Sequence, residues 1–595
     1  MYILGISCYY HDAAAALLHD GVLIAAAEEE RFTRKKHDSG FPHKAIEFCL
    51  AQAGIRQADV DYVVFYEKPL LKFERLLLSN LATYPNSWAV FRESMLTWFN
   101  EKLWIKTQLL DKLRLADEKL LFVEHHLSHA ASAFFCSPFE ESAIVTVDGV
   151  GEWTTTAIGH GQANWGRPGD PANALTLSAE TRFPHSLGLL YSAFTAFLGF
   201  EVNDGEYKVM GMAPFGQPNF AEDVYKLIEV AADGSFRLKM DYFSFHQSLT
   251  RTYSRKFPDI FGAERKHESE FFTPKTHPGR EPAKAAENQR YADLAASIQY
   301  VTEEVLLKIA RHAHTVTGSK RLCLAGGVAL NSVANGRILT EGPFEEVFIQ
   351  PAAGDSGGAI GAALYAYHVL LNQPRKFVME HAYWGQGYSP DEVRDFLDKN
   401  SIAYTQIDDD DKLADQVVDT LTQGRVVGWF QGRFEWGPRA LGNRSILADP
   451  TRAEMKDIVN TKIKFREPFR PFAPVVLEER SREYFVLDQP QKHYPARYML
   501  LVADIPADKQ ASIPAVTHVN GTGRLQTLKR ETNPRYYRVI EKFGERTGVP
   551  VLLNTSFNLR GEPIVNTPAN AFSTFSRSDI DVLVLGNMVV RKQGS

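Results

Sequence analysis

MYILGISCYYHDAAAALLHDGVLIAAAEEE, residues 1–30, reads as three short strands. Tyr2–Ser7 is an apolar run of strand length. Ala13–Leu18 is a second, after the polar turn Tyr10-His11-Asp12. Asp20-Gly21 is a hairpin turn leading into Val22–Glu28, since both central positions of such a turn favour residues tolerant of positive φ. The chain therefore opens as β-β-β with a loop of small and polar residues after the first strand. Arg31, Arg34, Lys35 and Lys36 follow and read as a solvated basic face.

Further along, three places repeat one pattern, a strand that ends in Gly or a small polar residue and then opens a helix. Arg321–Ala325 runs into Gly326-Gly327-Val328-Ala329-Leu330-Asn331, and Val347–Gln350 enters Gly354-Asp355-Ser356-Gly357-Gly358 with a small-residue helix, Gly358–Tyr367, behind it. The apolar run Leu120–Val123 leads to His125-His126-Leu127-Ser128-His129. Strands feeding Gly-rich loops and helices predict an α/β fold, and such loops cradle phosphates. If His125 opens a helix, His125 and His129 lie on one face and reach one metal ion. The strand Ala143–Val147 ends in Asp148-Gly149, and Asp355 offers another carboxylate. Two His and two Asp suit iron, manganese or zinc better than a thiolate cage does. An i,i+4 histidine pair alone is more often a surface or capping pair, and Asp-Gly after a strand is most often a turn.

With 595 residues the chain needs at least two cores. Lys and Arg number 66 against 72 Asp and Glu, a net charge of −6, so no global basic field draws the chain to nucleic acid. The four cysteines, Cys8, Cys49, Cys136 and Cys323, form no CxxC and give no hint of a disulfide framework. The N-terminus lacks a basic region followed by a long apolar stretch, and no run of about 18 apolar residues appears. A soluble, cytoplasmic protein is expected, with no membrane and no nucleic-acid partner.

Helical periodicity covers Lys44–Ala53, runs loosely through Leu70–Leu113 and dominates Glu287–Thr315. Residues 250–282 are polar and read as an exposed insertion; no internal repeat is evident. The pattern breaks around Asn372–Gln386, where a second α/β unit begins with the helix-like Asp391–Asn400. From Gln431 to Phe472 there are nine cations, including Arg439, Arg444, Lys464, Arg466 and Arg470, against five acids. Gly and Pro interrupt them, and arginines in a stiff frame favour phosphate or carboxylate. Phe and Trp residues here could stack bases, but the acidic balance favours a compact polyanion such as a nucleotide. His518–Arg524 and Asn554–Asn558 add donors with little charge, and the strand-like Val549–Leu553 puts Asn554 and Ser556 where it leaves the core.

The ordered set HDAAAAL, EEERFTRKKHD, HHLSHAASAFF, VTVDGVGEW, NDGEYKVMGMAPFG, AGGVALN, GDSGGAIGAA, FQGRFEWGPRALGNRSILADP, KFREPFRPFAP, HVNGTGR and VLLNTSFNLRGEPIV resembles the NodU/CmcH carbamoyltransferases across essentially the whole chain. The resemblance implies an actin-like ATPase fold for residues 1–372, consistent with the β-β-β opening, and a YrdC-like α/β domain for 373–595. It implies that ATP, as its Mg(II) complex, and carbamoyl phosphate form carbamoyl-adenylate in the second domain. Arg439, Lys464, Arg524, Asn554 and Ser556 are then the binding residues, with Arg466 and Arg470 behind them. By the same resemblance His125, His129, Asp148 and Asp355 hold a metal, iron(II) or another divalent ion, and His11 orients or deprotonates the acceptor. Gly326, Gly327, Asn331, Gly357 and Gly358 line the nucleotide. The expected reaction is O-carbamoylation of a small specialised metabolite, by a chain that pairs as a homodimer.

Other classes stand against this. An actin-like kinase or ATPase with an accessory anion-binding domain leaves the second anion site without a role. A hydrogenase-maturation carbamoyltransferase carries zinc-finger cysteines that this chain lacks. A tRNA-modifying carbamoyl or threonylcarbamoyl transferase fits poorly with the acidic balance. A non-catalytic nucleotide-binding scaffold would tolerate Lys464→Glu. Nothing in the sequence discloses the acceptor.

Overall fold

The first three strands form as the sequence dictates. Tyr2–Ser7 pairs antiparallel with Ala14–His19, register Tyr2 to His19 through Ser7 to Ala14. Asp20 (φ 48°) and Gly21 (φ 80°) make the hairpin turn to Val22–Glu28. Tyr62–Phe65 joins the other side of the first strand in parallel, and Leu120–Phe122 pairs with it in parallel. In chain sequence the strand order is 3-2-1-4-5.

A second five-stranded sheet repeats that order. Glu141–Val147, Thr154–Gln162 and Ala174–Arg182 are an antiparallel meander. Arg321–Ala325 then pairs in parallel with Glu141–Val147, and Glu346–Phe348 in parallel with Arg321–Ala325. The first and second sheets are thus one topology used twice, as in the actin-like ATPase fold. The duplication is invisible in the residues because it conserves pairing geometry, not side chains. The 36-residue helix Pro282–Thr317 packs on the second sheet. Residues 250–282 are not simply an exposed insertion. Phe257 and Phe261 of the helix Lys256–Phe261 are buried and stack edgewise on Phe194 and Phe197.

This computed structural model describes residues Met1–Lys592. By its contacts the chain forms two compact units, Met1–Ile24 with Ala53–Val378, and Ala25–Gln52 with the chain from Met379 onward. From sequence, residues 1–372 read as one domain; in the structure Ala25–Gln52 is held by the second unit. Buried Arg31 donates to the Gly437 carbonyl (2.6 Å), and Gly437 N–H donates to Glu28 Oε1 (2.8 Å). Arg34 donates to the carbonyls of Pro563 and Ile564, both at 2.6 Å. The basic cluster is therefore not a solvated face: two of its arginines are consumed by carbonyls.

The second unit has a nine-stranded mixed sheet. Its centre runs Val427–Phe430, Arg444–Ala448, Val551–Ser556, Ala473–Leu477, Thr522–Leu528. Helices Asp410–Thr422 and Pro534–Thr547 cover it, burying Leu413, Val417, Leu421, Ile540 and Phe543 against Trp429. Asp409 and Asn533 cap these helices through their side chains. No helix among the described residues is long and apolar enough to cross a membrane.

Candidate functional site

In the first unit, each polar loop leaves the C-terminal end of a strand, where open α/β sheets bind ligands. His11 follows the first strand, and His125 opens the helix His125–Phe134 after Leu120–Phe122. Asp148 follows Glu141–Val147, Gly326 follows Arg321–Ala325, and Asp355 follows Glu346–Phe348. Close packing of small residues brings the segments together. A Cβ on Gly361, in helix Gly357–Tyr365, would lie 1.8 Å from the Ser128 carbonyl oxygen of the histidine helix, and one on Gly5 would lie 1.8 Å from the Ala359 carbonyl oxygen.

His125, His129, Asp148 and Asp355 are all buried, with one donor atom from each within 4.8 Å of the others. The Nε2 atoms of His125 and His129 are 3.0 Å apart. His125 Nε2 lies 3.1 Å from Asp148 Oδ2 and 3.6 Å from Asp355 Oδ1, and His129 Nε2 lies 3.8 and 3.7 Å from the same oxygens. Metal–ligand bonds of about 2.0–2.1 Å spread at roughly right to tetrahedral angles put donors about 2.8–3.4 Å apart. Two of these five separations fall in that range and three lie just beyond it, so small shifts of the side chains would close the set on a divalent ion. Asp355 Oδ2, buried and without a hydrogen bond, leaves acceptor capacity at the same place.

The electrostatics agree. Burial opposes charge on the two aspartates, yet hydrogen bonds from His125 and His129 hold Asp148 well below the carboxylate range. Asp355 is likewise lowered, by His11 and the same histidines. Against its burial, His129 is raised to about 9 by Asp148 and Asp355. His126 points away, its Nδ1 2.7 Å from Thr146 Oγ1, and burial with the charge of its two neighbours pushes it down to about 3. It is a core histidine.

The supporting shell is backbone-directed, because the Nδ1 atoms of His125 and His129 make no hydrogen bond. Buried Glu152 accepts from the His125 backbone N–H (3.0 and 3.2 Å) and from Lys68 N–H (2.8 Å). Gly327 N–H donates to Asp148 Oδ1 at 2.8 Å. Glu152 escapes a sequence reading, since only its place four residues after Asp148 in VTVDGVGEW marks it.

His11 stands at the rim, Nε2 3.7 Å from Asp355 Oδ2 and Nδ1 2.7 Å from Asp12 Oδ2. Burial lowers its pKa, but Asp355 and Asp12 carry it up to about 9. Gly326 (φ 95°) has no room for a Cβ, which would meet the Val147 carbonyl oxygen at 2.2 Å. Gly357 and Gly358 are buried in the first turn of their helix, against Ala352 and the Tyr66 ring. Asn331 caps the helix Ser332–Glu341 and pairs with Gln299.

In the second unit, Lys464 is buried, and its Nζ lies within hydrogen-bond distance of four neutral oxygens, one more than its three N–H donors. These are the carbonyls of Ser556 (2.6 Å) and Asn558 (3.0 Å), Ser556 Oγ (3.1 Å) and Asn558 Oδ1 (2.6 Å). Burial, then Arg466 and Arg470, push its pKa well below the usual lysine value. Asn554 and Ser556 lie two apart on strand Val551–Ser556 and share a face. They are inside the strand, not beyond it. Asn554 Nδ2 donates to the Ala440 carbonyl, next to Arg439, and to Gln526 Oε1, on the strand face shared with Arg524. Arg466 stacks over Phe472 and donates to Asn460 Oδ1; Arg470 pairs with Glu467. Arg444 belongs elsewhere: fully buried, it lies over the Phe430 ring and donates only to carbonyls. Gln526 carries no sequence signal of its own, whereas Asn558 closes the donor segment Asn554–Asn558.

Fold and site define an α/β protein with a hard-donor cation cluster in one unit and a buried, uncompensated lysine in the other. Residues 2–364 match the family described as carbamoyltransferase N-terminus and residues 418–592 that described as carbamoyltransferase C-terminus. An uncharacterized protein of Synechocystis sp., sll1178, is 48% identical over 99% of this chain and 97% of its own. Nodulation protein NolNO of Sinorhizobium fredii is 38% identical over 98% of this chain and 79% of its own. The solved structure of T. kodakarensis HypF aligns at 14% identity and TM-score 0.30, over 63% of this chain and 48% of that one. The chain belongs to the carbamoyltransferase family and is a carbamoyltransferase.

Proposed function

We propose that the second unit, a YrdC-like domain, forms carbamoyl-adenylate from ATP and carbamoyl phosphate, and that the first unit transfers the carbamoyl group to a hydroxyl of a small molecule. One observation carries the reading. Lys464 is an ammonium taken out of water, donating only to neutral oxygens and repelled by two arginines. Such a group costs several kcal/mol to bury and is compensated when a polyanion arrives. Arg439, Arg466, Arg470 and Arg524 add fork-shaped donors for the phosphates of Mg(II)–ATP and carbamoyl phosphate, and Asn554 and Ser556 supply neutral donors beside them. Water displaces phosphate from carbamoyl phosphate to give carbamate, whose oxygen then bonds to the α-phosphorus of ATP as the bond to pyrophosphate breaks and pyrophosphate leaves.

In the first unit, His125, His129, Asp148 and Asp355 would hold a divalent ion, for which iron(II) suits the nitrogen and oxygen donors. That ion would supply Lewis acidity toward the carbamoyl carbonyl and its adenylate. Gly326 and Gly327 let backbone approach the nucleotide, and His11 orients the acceptor hydroxyl. The hydroxyl oxygen bonds to the carbamoyl carbon, AMP leaves, and the hydroxyl proton is lost.

The test separates the two units. Exchange of labelled pyrophosphate into ATP should require carbamoyl phosphate, should vanish in Lys464→Met, and should persist in Asp148→Asn while transfer is lost. A product heavier by one HNCO, found by mass spectrometry across candidate alcohols, identifies the acceptor. Cleavage of ATP to ADP without carbamoyl phosphate would overturn the reading in favour of a kinase or ATPase.

A further inference from the structure

Helix Pro69–Ala82, in the first unit, is built inside out. Lys72, Arg75 and Asn80 are buried while Leu70, Leu78 and Leu81 are 69, 46 and 58% exposed. Lys72 is neutralised by buried Glu67 at 2.6 Å, and Arg75 is taken up by the Gly151 carbonyl at 2.6 Å. The polar face therefore has its partners inside the unit, and the apolar face has none. Leu70, Leu71, Leu78 and Leu81 fall within about 100° of arc at 3.6 residues per turn. The next helix, Trp88–Asn100, repeats the spacing with Trp88, Leu96 and Phe99, also exposed. The two helices pack together through Phe73 against Trp98 and Phe99, ring centroids 5.5 and 6.2 Å apart, which makes the two stripes one surface.

That surface is too large to be incidental. Of the eighteen exposed large apolar side chains among the described residues, nine lie between Leu70 and Trp104. Seven of the nine lie on these two helices, and with aromatic side chains of about 150–250 Å² each and leucines somewhat smaller their exposed fractions present on the order of 700 Å². The largest patch on a monomer is usually about 300–600 Å², and one side of a standard interface is about 800 Å².

Two charges interrupt the stripes, and they match. Glu74 sits four residues after Leu70, in the middle of the first apolar arc, and Arg92 sits four after Trp88, in the middle of the second. Both are exposed, and neither side chain has an ion-pair partner among the described residues. A twofold axis sets residue i of one copy against residue j of the other and j against i. Glu74 would then meet Arg92 of the second copy twice over, with the leucine and tryptophan stripes interdigitated around them. A lipid surface is the poorer match, because the exposed charges from Leu70 to Trp104 are Glu74, Arg92, Glu93 and Glu101, an acidic set. We propose that the face made by helices Pro69–Ala82 and Trp88–Asn100 is where a second copy of this chain docks, about a twofold axis, with Glu74 and Arg92 as reciprocal partners.

Sedimentation equilibrium of the full chain tests it. The expected mass at micromolar concentration is twice 66.9 kDa. Leu78→Asp with Trp88→Asp should give a monomer. Glu74→Arg alone should weaken the dimer at least about 10-fold, since like charges then face each other, and Glu74→Arg with Arg92→Glu should restore it. The restored double variant shows that the single variant still folds. A monomeric wild type, a dimer indifferent to Leu78→Asp with Trp88→Asp, or a charge-swapped pair no better than Glu74→Arg would each overturn the proposal. So would a monomer that co-floats with phosphatidylserine vesicles, which would assign the face to lipid.

Discussion

Replacing Lys464 by Met should remove adenylate formation while leaving the fold about as stable as before. The two sides of that balance can be read from the contacts. Met keeps the length of the side chain and removes the ammonium. Ser556 Oγ and Asn558 Oδ1 keep each other, at 2.8 Å. The Ser556 carbonyl loses one donor but keeps the Asn558 N–H at 3.1 Å, so only the Asn558 carbonyl is orphaned. An orphaned carbonyl costs about 1–3 kcal/mol when buried, and Asn558 is only half-buried, so the loss sits near the lower end of that range. Against it stands the desolvation of an ammonium with no counter-charge, several kcal/mol. The net change in unfolding free energy should lie within about 2 kcal/mol of zero. Its pH dependence has a defined sign. The folded pKa of Lys464 is depressed by burial and by Arg466 and Arg470, so between that value and about 10.4 the unfolded chain binds more protons than the folded one. Stability of the wild type therefore rises with pH across this window, by about 1.4 kcal/mol for each unit of depression, and Lys464→Met loses that rise. Urea titrations at pH 7 and pH 10, paired with pyrophosphate exchange, measure both halves. Destabilisation beyond about 4 kcal/mol at pH 7, or exchange retained within 10-fold, would show that Lys464 is a structural cation and refute the reasoning.

Other perturbations separate support from chemistry. Glu152→Gln keeps the shape of the side chain but weakens the acceptor that holds the His125 and Lys68 amides, so calorimetric affinity for a divalent ion should fall about 10–100-fold with the melting temperature nearly unchanged. Gly361→Ala places a Cβ 1.8 Å from the Ser128 carbonyl oxygen, so helix Gly357–Tyr365 must move off the histidine helix. Thermal unfolding should then show a loss of about 3 kcal/mol or more, with ion binding lost alongside. Arg31→Met leaves Glu28 and the Gly437 carbonyl buried without their cation, and chemical denaturation should report a cost of about 3–5 kcal/mol, where a solvated arginine would cost almost nothing.

Much of the fold and of the candidate cation site lies open in the residues, because local rules decide it. Tyr2–Ser7 and Asp20-Gly21 fix a strand and a hairpin from apolar content and positive φ alone. His125 and His129 share a face because any helix brings i and i+4 together, and Asp148 and Asp355 stand at strand ends because the strands before them stop there. The nine cations from Gln431 to Phe472 likewise show in the sequence as a dense basic stretch, but not which of them are buried among carbonyls and which are grouped together. Arg444 and Lys464 look alike in the chain. One is buried over Phe430 among carbonyls, and the other faces Arg466 and Arg470.

What the sequence by itself determined, then, is the list of elements and the chemical types at their ends: a β-β-β opening, strands feeding helices, two His and two Asp of the right kind for a divalent ion. Tertiary structure alone decided the 3.0 Å approach of two imidazoles, the placement of Ala25–Gln52 in the second unit, the repeated sheet order, and the inside-out helix Pro69–Ala82. The reason is physical. Backbone propensity and side-chain periodicity act over a few residues, whereas burial, desolvation and donor convergence depend on partners that are hundreds of residues away, such as Gly437 for Arg31 and Gly327 for Asp148.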